Sequence, residues 1–372
     1  MRIGVPKEIK IHEYRVGMTP TSVRELILHG HNVVVQKNCG HEIGLDDSHY
    51  TAVGAVVVDS AEEVFADADF IVKVKEPKAP EVSLLRENQI LFTYLHLAPD
   101  PELTRQLKDT GCIAVAYETV TDDRGGLPLL APMSEVAGRM AVQAGAHCLE
   151  MNQGGRGTLL SGVPGVPVGR VLVLGGGVVG TNAARMAMGL EASVTVIDIS
   201  LTRLYDLDLQ FGPTLNTIYS TRDAIEEHVI SADLVVGAAL VPGATAPRLV
   251  TGEMVKKMNR GSVIVDVAID QGGCIENSRP TTHADPTYVE HGVVHYCVTN
   301  MPGAVARTST FALNNATLPF IVSLADNGVK DAMQNDAHLL NGLNIFRGQV
   351  TYEAVARDTG EEFVVPRDAL AS

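Results

Sequence analysis

A chain of 372 residues is longer than one hydrophobic core usually serves, which predicts two domains. With 45% hydrophobic and 20% charged residues it is no disordered chain, and a formal charge of −15 argues against nucleic acid or an anionic membrane as its main partner. The five cysteines (Cys39, Cys112, Cys148, Cys274 and Cys297) are odd in number, scattered and never spaced C-x-x-C. They predict reduced thiols in a cytoplasmic protein, with no disulfide framework and no zinc site.

The N-terminal MRIGVPKEIK enters a strand directly and shows no apolar leader. From Arg2 to Val120, the runs RIGV, NVVVQ, DFIVKV, ILFTYLH and CIAVAY read as strands. Between them, TPTSVRELILHG offers Thr19 as an N-cap, Pro20 at the first helical position and Gly30 past the end; APDPELTRQLKDTG repeats the device with Asp100, Pro101 and Gly111. SEVAGRMAVQAGAHCLEM predicts one helix starting at Ser134, and the Gly/Pro-rich MNQGGRGTLLSGVPGVPVG predicts a loop. A second alternating series follows in RVLVLGGG, SVTVID, DLVVGAAL, SVIVDVAID and VVHYCVTN. TSTFALNNATLPFIVSLADNG predicts a further helix, too rich in Asn, Ser and Thr for a membrane span, ahead of a mostly helical tail. The expected fold is α/β: two doubly wound, Rossmann-like parallel-sheet domains joined by two long helices, with a cleft between them. The expected division is 1–129 plus 308–372 for a substrate domain and 130–307 for a nucleotide-binding domain.

The strongest local signal is VLVLGGGVVGTNAARMAMGLEASVTVID. Gly175, Gly177 and Gly180 form G-x-G-x-x-G between an apolar run and a helical pattern. The first permits a tight turn, the second a close approach to a pyrophosphate, the third helix–strand packing. The helix N-terminus then presents N–H groups to phosphates. Asp198, at the end of the next strand, suits the hydroxyls of an adenine ribose and favours NAD over NADP, while Arg203 nearby softens that preference. The plain alternative is a Gly-rich strand–helix turn, which the surrounding strand, helix and acid disfavour.

Ligands of open parallel sheets bind outside the carboxyl ends of the strands. Lys75 ends DFIVKV, His96 ends ILFTYLH, Asp270 ends SVIVDVAID and Asn300 ends VVHYCVTN. If the two ligand edges face one another, a cation, an imidazole, a carboxylate and an amide meet a nucleotide site, the inventory for hydride transfer on a small carboxylate. Each has a duller reading. Lys75 suits a sheet edge, His96 a satisfied core, Asp270 the turn before Gly272 and Gly273, and Arg15 an ion pair with Glu13 or Glu8. Lys73, two residues before Lys75, is expected to make a structural ion pair and to cost little turnover when replaced by alanine. His29 and His31, straddling Gly30, are expected to face opposite ways, and His291 and His295 lie in a strand-like stretch. No essential metal is expected.

The stretches GVPKEIKIHEYRVGMTP, VKVKEP, ILFTYLHLA, AYETV, LPLLAPMSEVAGRMA, GGRGTLLSGVPGV, LVVGAALVPGATAP, VDVAIDQGGCIENSRPTT and VTNMPGAVARTST, in this order, resemble the bacterial alanine dehydrogenases. The resemblance, within the alanine dehydrogenase/transhydrogenase NAD-binding family, runs along essentially the whole chain. Gly17-Met18 and the tail after about residue 330 are the departures. The resemblance implies a cytoplasmic homohexamer performing reversible NAD-dependent oxidative deamination of L-alanine to pyruvate and ammonium. It implies that Arg15 and Lys75 hold the substrate carboxylate and carbonyl and that His96 is general acid/base. Asp270 would orient or activate the water that hydrolyses the imine, and Tyr94 and Met133 would border the methyl pocket. Ser134, the turn Gly175, Gly177, Val178, Val179 and Gly180, then Asp198, Arg203, Ser220, Ala239 and Leu240 would line the NAD site. Asn300, near both substrate and cofactor, and Met301 would lie at the nicotinamide. Two alternatives are the NAD-binding component of a proton-translocating transhydrogenase and a non-catalytic NAD-binding module; Lys75, His96 and Asp270 together argue against both. A saccharopine-type opine dehydrogenase is disfavoured by the small pocket.

Overall fold

Runs of valine and isoleucine bounded by Gly, Pro or Asn become the strands of two separate sheets. The computed structural model describes residues 1–239 and 246–371. In chain order the strands are β1 (Arg2–Val5), β2 (Asn32–Gln36), β3 (Val56–Val58), β4 (Phe70–Val72), β5 (Ile90–Thr93) and β6 (Ile113–Ala116). Next come β7 (Arg170–Leu174), β8 (Ser193–Asp198), β9 (Leu215–Tyr219), β10 (Leu234–Gly237), β11 (Val263–Asp266), β12 (Thr287–Glu290) and β13 (Val293–Tyr296). Last are β14 (Leu343–Phe346) and β15 (Gln349–Val350). The chain divides into two compact units, Met1–Met133 with Val305–Ser372, and Ser134–Ala304.

The first unit holds an eight-stranded sheet in the order β15-β14-β6-β5-β4-β1-β2-β3. Its strands run parallel except β14, which opposes both β6 and β15 at one edge. Its order reverses between β1 and β4, which pair directly. The second unit holds a seven-stranded sheet, β12-β13-β11-β10-β7-β8-β9, parallel except for β12 and reversing between β7 and β10. Both are doubly wound α/β sheets, as expected. The mostly helical tail is corrected: β14 pairs with β6, and Arg347 and Gly348, both at positive φ, close a two-residue hairpin onto β15.

Helices start where the caps predict. Thr19 accepts from Ser22 N–H ahead of Pro20–Leu28, and Asp100 accepts from Leu103 N–H ahead of Pro101–Thr110. The helix expected from Ser134 begins three residues earlier and spans Ala131–Cys148. The later one spans Ala306–Asn335 and breaks its helical geometry at Gly328. In the first unit Ile71, Leu91, Ala114 and Ile345 line the core beneath the sheet, and in the second Leu172, Val235 and Ile264 do so. Each fully buried aliphatic side chain contributes about 1.5–3 kcal/mol. His29 and His31 do not face apart: their rings grip the two oxygens of Asp326 at 2.9 and 2.7 Å. The left-handed Gly30 between them turns both to the same helix.

Lys73 is completely buried just past β4. Its ammonium sits 2.5 Å from Glu81 Oε1 and 3.3 Å from Glu8 Oε2. Burial works to lower its pKa, but the Glu8 and Glu81 charges overcome this and hold it above the usual lysine value. Glu8 follows β1, so this ion pair fastens the two strands at which the sheet reverses. Removing one partner of a buried pair leaves the other charges uncompensated, so replacing Lys73 bears on stability, apart from the small cost in turnover expected of it. Lys73→Ala is expected to lower the unfolding free energy by about 3–5 kcal/mol in urea denaturation; an unchanged midpoint would mean that Glu8 and Glu81 are satisfied without it.

Candidate functional site

The strands end earlier than their apolar runs suggest. Lys75 and His96 lie three residues past β4 and β5, and Asp270 and Asn300 lie four residues past β11 and β13. None of the four ends a strand, as had been expected, although all lie beyond a carboxyl end. The cause in the first unit is visible in the backbone. After β4, Val74 and Lys75 turn their N–H groups to Glu8 Oε1, at 2.6 and 3.4 Å. After β5, Leu95 and His96 donate to Glu118 Oε1 at 3.1 and 2.6 Å. His96 is thereby held at φ +51, a left-handed conformation uncommon for a residue with a side chain.

Arg15 is buried and forked onto Glu13, with Nε donating to Oε1 at 2.6 Å and Nη2 to Oε2 at 2.5 Å. Its Nη1 lies 3.1 Å from Met133 Sδ. Burial tends to lower its pKa, and the hydrogen bond and charge of Glu13 raise it overall. The Glu13 pairing anticipated as the dull reading is therefore present, and it fixes the guanidinium plane. Lys75 differs from Lys73 in every respect. It is partly exposed, and among the described residues its ammonium has no carboxylate within ion-pair distance and no hydrogen-bond acceptor. Burial first, then the Arg15 cation, push its pKa down.

The His96 ring lies parallel to Tyr94, with centroids 6.0 Å apart, and its Nδ1 is 4.0 Å from Glu118 Oε1. It keeps 46% of its side-chain surface open, so it sits in a recess rather than a closed core. Burial, above all, lowers its pKa; Glu118 pulls upward while Lys75 adds to the lowering. Tyr94 is buried and donates to the Leu129 carbonyl at 2.5 Å. Arg15, Lys75, Tyr94, His96 and Met133 thus all belong to the first unit, on segments following β1, β4 and β5 and on the Ala131–Cys148 helix.

In the second unit the glycine turn follows β7 at the reversal beside β10. Gly175 has φ +99, and a Cβ there would stand 2.8 Å from the Ala238 carbonyl. A Cβ on Gly180 would stand 1.8 Å from the Gly175 carbonyl, so only glycine lets the Val178–Gly189 helix start this close to the strand. Gly177 is its N-cap, and Val178 and Val179 open it. Asp198 ends β8 and accepts from Gly176 N–H at 2.6 Å and Ser200 N–H at 2.7 Å. Ser220 follows β9 and donates its N–H to the Asp198 carbonyl. Ala239 follows β10, and Leu240 lies outside the described residues. This is a cradle without side-chain bulk, at the carboxyl ends where a dinucleotide fits. Ser134 lies near the start of the Ala131–Cys148 helix.

Asp270 is exposed on the Val267–Gln271 turn. The acid that fixes the following turn is Asp266, buried at the end of β11, which accepts from Cys274 and Ile275 N–H. Burial raises its pKa against hydrogen bonds from Ser278 and those amides. Asn300 accepts through its carbonyl from His283 Nε2 at 2.8 Å, and Met301 is buried in the next turn. The sequence reading overlooked Glu81 and Glu118 and offered Glu8 only as a partner of Arg15; a lysine inside an apolar strand was the signal for Glu8 and Glu81. Among the described residues no His/Cys/Asp/Glu group is arranged to hold a metal, and no helix is long and apolar enough to cross a membrane.

Residues 4–137 match the family model for the N-terminal domain of alanine dehydrogenase/PNT, and residues 141–353 match that for its C-terminal domain. The alanine dehydrogenase of Halomonas elongata is 59% identical over 364 residues, 98% of each chain. A solved L-alanine dehydrogenase superposes with a TM-score of 0.94 at 52% identity, over 97% of this chain and 99% of the other. A transhydrogenase from Sinorhizobium meliloti superposes with a TM-score of 0.81 at 25% identity, over 95% and 100%.

Because the Lys75 cation lowers the His96 pKa, Lys75→Met is expected to raise it. Titrating the His96 ring resonances by NMR checks this; an unchanged or lowered value would place the two groups in separate electrostatic environments.

Proposed function

The chain belongs to the alanine dehydrogenase/PNT family, and on that premise we propose that it catalyses the reversible, NAD-dependent oxidative deamination of L-alanine to pyruvate and ammonium. The observation that carries the reading is Lys75, a partly exposed ammonium beside Arg15 with no carboxylate of its own in ion-pair reach among the described residues. A small anionic substrate supplies the missing charge. The unit Met1–Met133 with Val305–Ser372 handles that substrate, and Ser134–Ala304 handles NAD.

Arg15, its plane set by Glu13, and Lys75 take the carboxylate and the carbonyl oxygen that develops on Cα. Tyr94 and Met133 border the methyl group. Bound NAD supplies the hydride acceptor for the Cα hydrogen. His96, its pKa lowered, is a neutral base at pH 7 and takes the proton that the substrate nitrogen or the attacking water gives up. Asp270 orients water toward the imine carbon, and Asn300 and Met301 border the nicotinamide. Ser134, Gly175, Gly177, Val178, Val179, Gly180, Asp198, Arg203, Ser220, Ala239 and Leu240 hold the rest of the dinucleotide. Lys75 and His96 favour this reading over a transhydrogenase component, which needs no substrate cation or base. Exposed Met151, Leu159, Val163 and Val166 support burial against further copies, in a cytoplasmic homohexamer.

NADH formation with L-alanine, and then with glycine and serine, tests the activity. NAD binding without turnover of any amino acid would leave only a binding module. His96→Ala is expected to reduce turnover by about 10²–10⁴-fold, and Lys75→Ala to abolish it, each with NAD affinity kept. Normal turnover in Lys75→Ala removes that residue from the site. A lowered Lys75 pKa means the cation is lost at lower pH than the usual lysine value of about 10.4. Pyruvate, which has no group titrating there, is therefore expected to bind the NADH-loaded enzyme progressively more weakly as pH rises from neutral through that lowered pKa. Calorimetric affinity that stays flat through the usual lysine value of about 10.4 would overturn the assignment.

A further inference from the structure

Arg203 answers a question that Asp198 leaves open. A carboxylate at the ribose repels a 2′-phosphate, yet a guanidinium five residues later is the group a 2′-phosphate would recruit. The Arg203 side chain is instead folded into the glycine turn. Its Nε donates to the Gly176 carbonyl at 2.6 Å, its Nη2 donates to Thr181 Oγ1 at 2.6 Å, and its Nη1 lies 3.9 Å from Asp206 Oδ2. Thr181 in turn donates its hydroxyl proton to the Gly177 carbonyl at 2.7 Å, which leaves its oxygen lone pairs for Arg203. Asp198 Oδ2 accepts the N–H of the same Gly176 whose carbonyl Arg203 holds. This glycine is thus gripped at both ends, and a Cβ on it would stand 2.9 Å from Leu207 Cδ1 and 3.3 Å from Asp198 Oδ2.

We propose that NAD is selected over NADP by this latch: Thr181 and the Gly176 carbonyl hold Arg203 in the turn, away from a 2′-phosphate, so that Thr181 sets cofactor specificity through Arg203. Swinging Arg203 outward breaks two charge-assisted hydrogen bonds and frees the backbone on which the pyrophosphate would rest. A 2′-phosphate therefore meets the Asp198 charge without its natural counter-charge. Thr181 is a positioning residue, and the ratio of NADP to NAD affinity is the quantity it moves. The inference rests on the reading of Ser134–Ala304 as the NAD unit.

The test is calorimetric binding of NAD and NADP to the full chain, with Asp198→Asn as the parent because it removes the charge and keeps one acceptor oxygen. Adding Thr181→Val, or Thr181→Ala if the valine variant does not fold, is expected to raise NADP affinity about tenfold over that parent, the worth of one charge-assisted hydrogen bond no longer broken. Adding Thr181→Ser, which keeps the hydroxyl, is expected to leave it at the parent's level. Arg203→Ala on top of Thr181→Val is expected to erase the gain. No gain from removing the Thr181 hydroxyl, or a gain that survives loss of Arg203, overturns the latch while NAD binding by the unmodified chain keeps the functional reading. Absence of NAD binding by the unmodified chain overturns both.

Discussion

A single buried carboxylate, Glu8, joins the two strands between which the first sheet reverses its order. One of its oxygens takes the Val74 and Lys75 amides, and the other faces the Lys73 ammonium. The switch point of a doubly wound sheet is where two chain segments diverge and leave a crevice. Here the divergence is tied by charge. Glu81 completes the neutralisation of Lys73 and accepts the Lys78 amide through its second oxygen, so the ion pair also fixes the turn leading away from β4. Tyr117 closes the assembly by donating to the Lys73 carbonyl at 3.0 Å. The direction in which Lys75 leaves this layer is thus set by groups that never reach the solvent.

The same solution recurs at the next strand, where Glu118 does for Leu95 and His96 what Glu8 does for Val74 and Lys75. In the second unit Asp198 performs a related task, taking Gly176 and Ser200 amides at the end of β8. In all three places a carboxylate holds backbone that a ladder no longer pairs. The Lys75 cation is consequently held close enough to the His96 imidazole to depress its proton affinity, while burial and the Arg15 cation depress that of Lys75 itself.

Much of this was legible in the sequence. Runs such as NVVVQ and RVLVL declare strands through β-branched residues, and Thr19 and Asp100 declare helix starts through local chemistry. The glycine spacing 175, 177 and 180 followed by Asp198 declares its turn, because each glycine answers a contact within a few residues. Strand ends were not legible, because they are decided by Glu8 and Glu118, 66 and 22 residues away from the amides they take. FIVKV shows that a buried cation must be paired, and nothing in the run says with what. Two acids four apart, Asp266 and Asp270, divide the structural and the exposed role by burial alone. The His29–Gly30–His31 reading failed because a left-handed glycine and a distant Asp326 bring both rings onto one carboxylate. The tail's β14 and β15 were hidden by their brevity, with only the Arg347-Gly348 turn to mark them.

Consecutive amides pointing into one hollow, one of them from a left-handed residue, make a nest of the kind that captures small anions. The hollow after β5 has this form through His96, the hollow after β4 shares only its converging amides, and each is already filled by an internal anion, the side chain of Glu118 or Glu8. A diffusible carboxylate or phosphate finds no vacant backbone pocket there and must be received by side chains instead. Selectivity at this edge then depends on groups whose charge responds to pH, rather than on peptide dipoles, which do not.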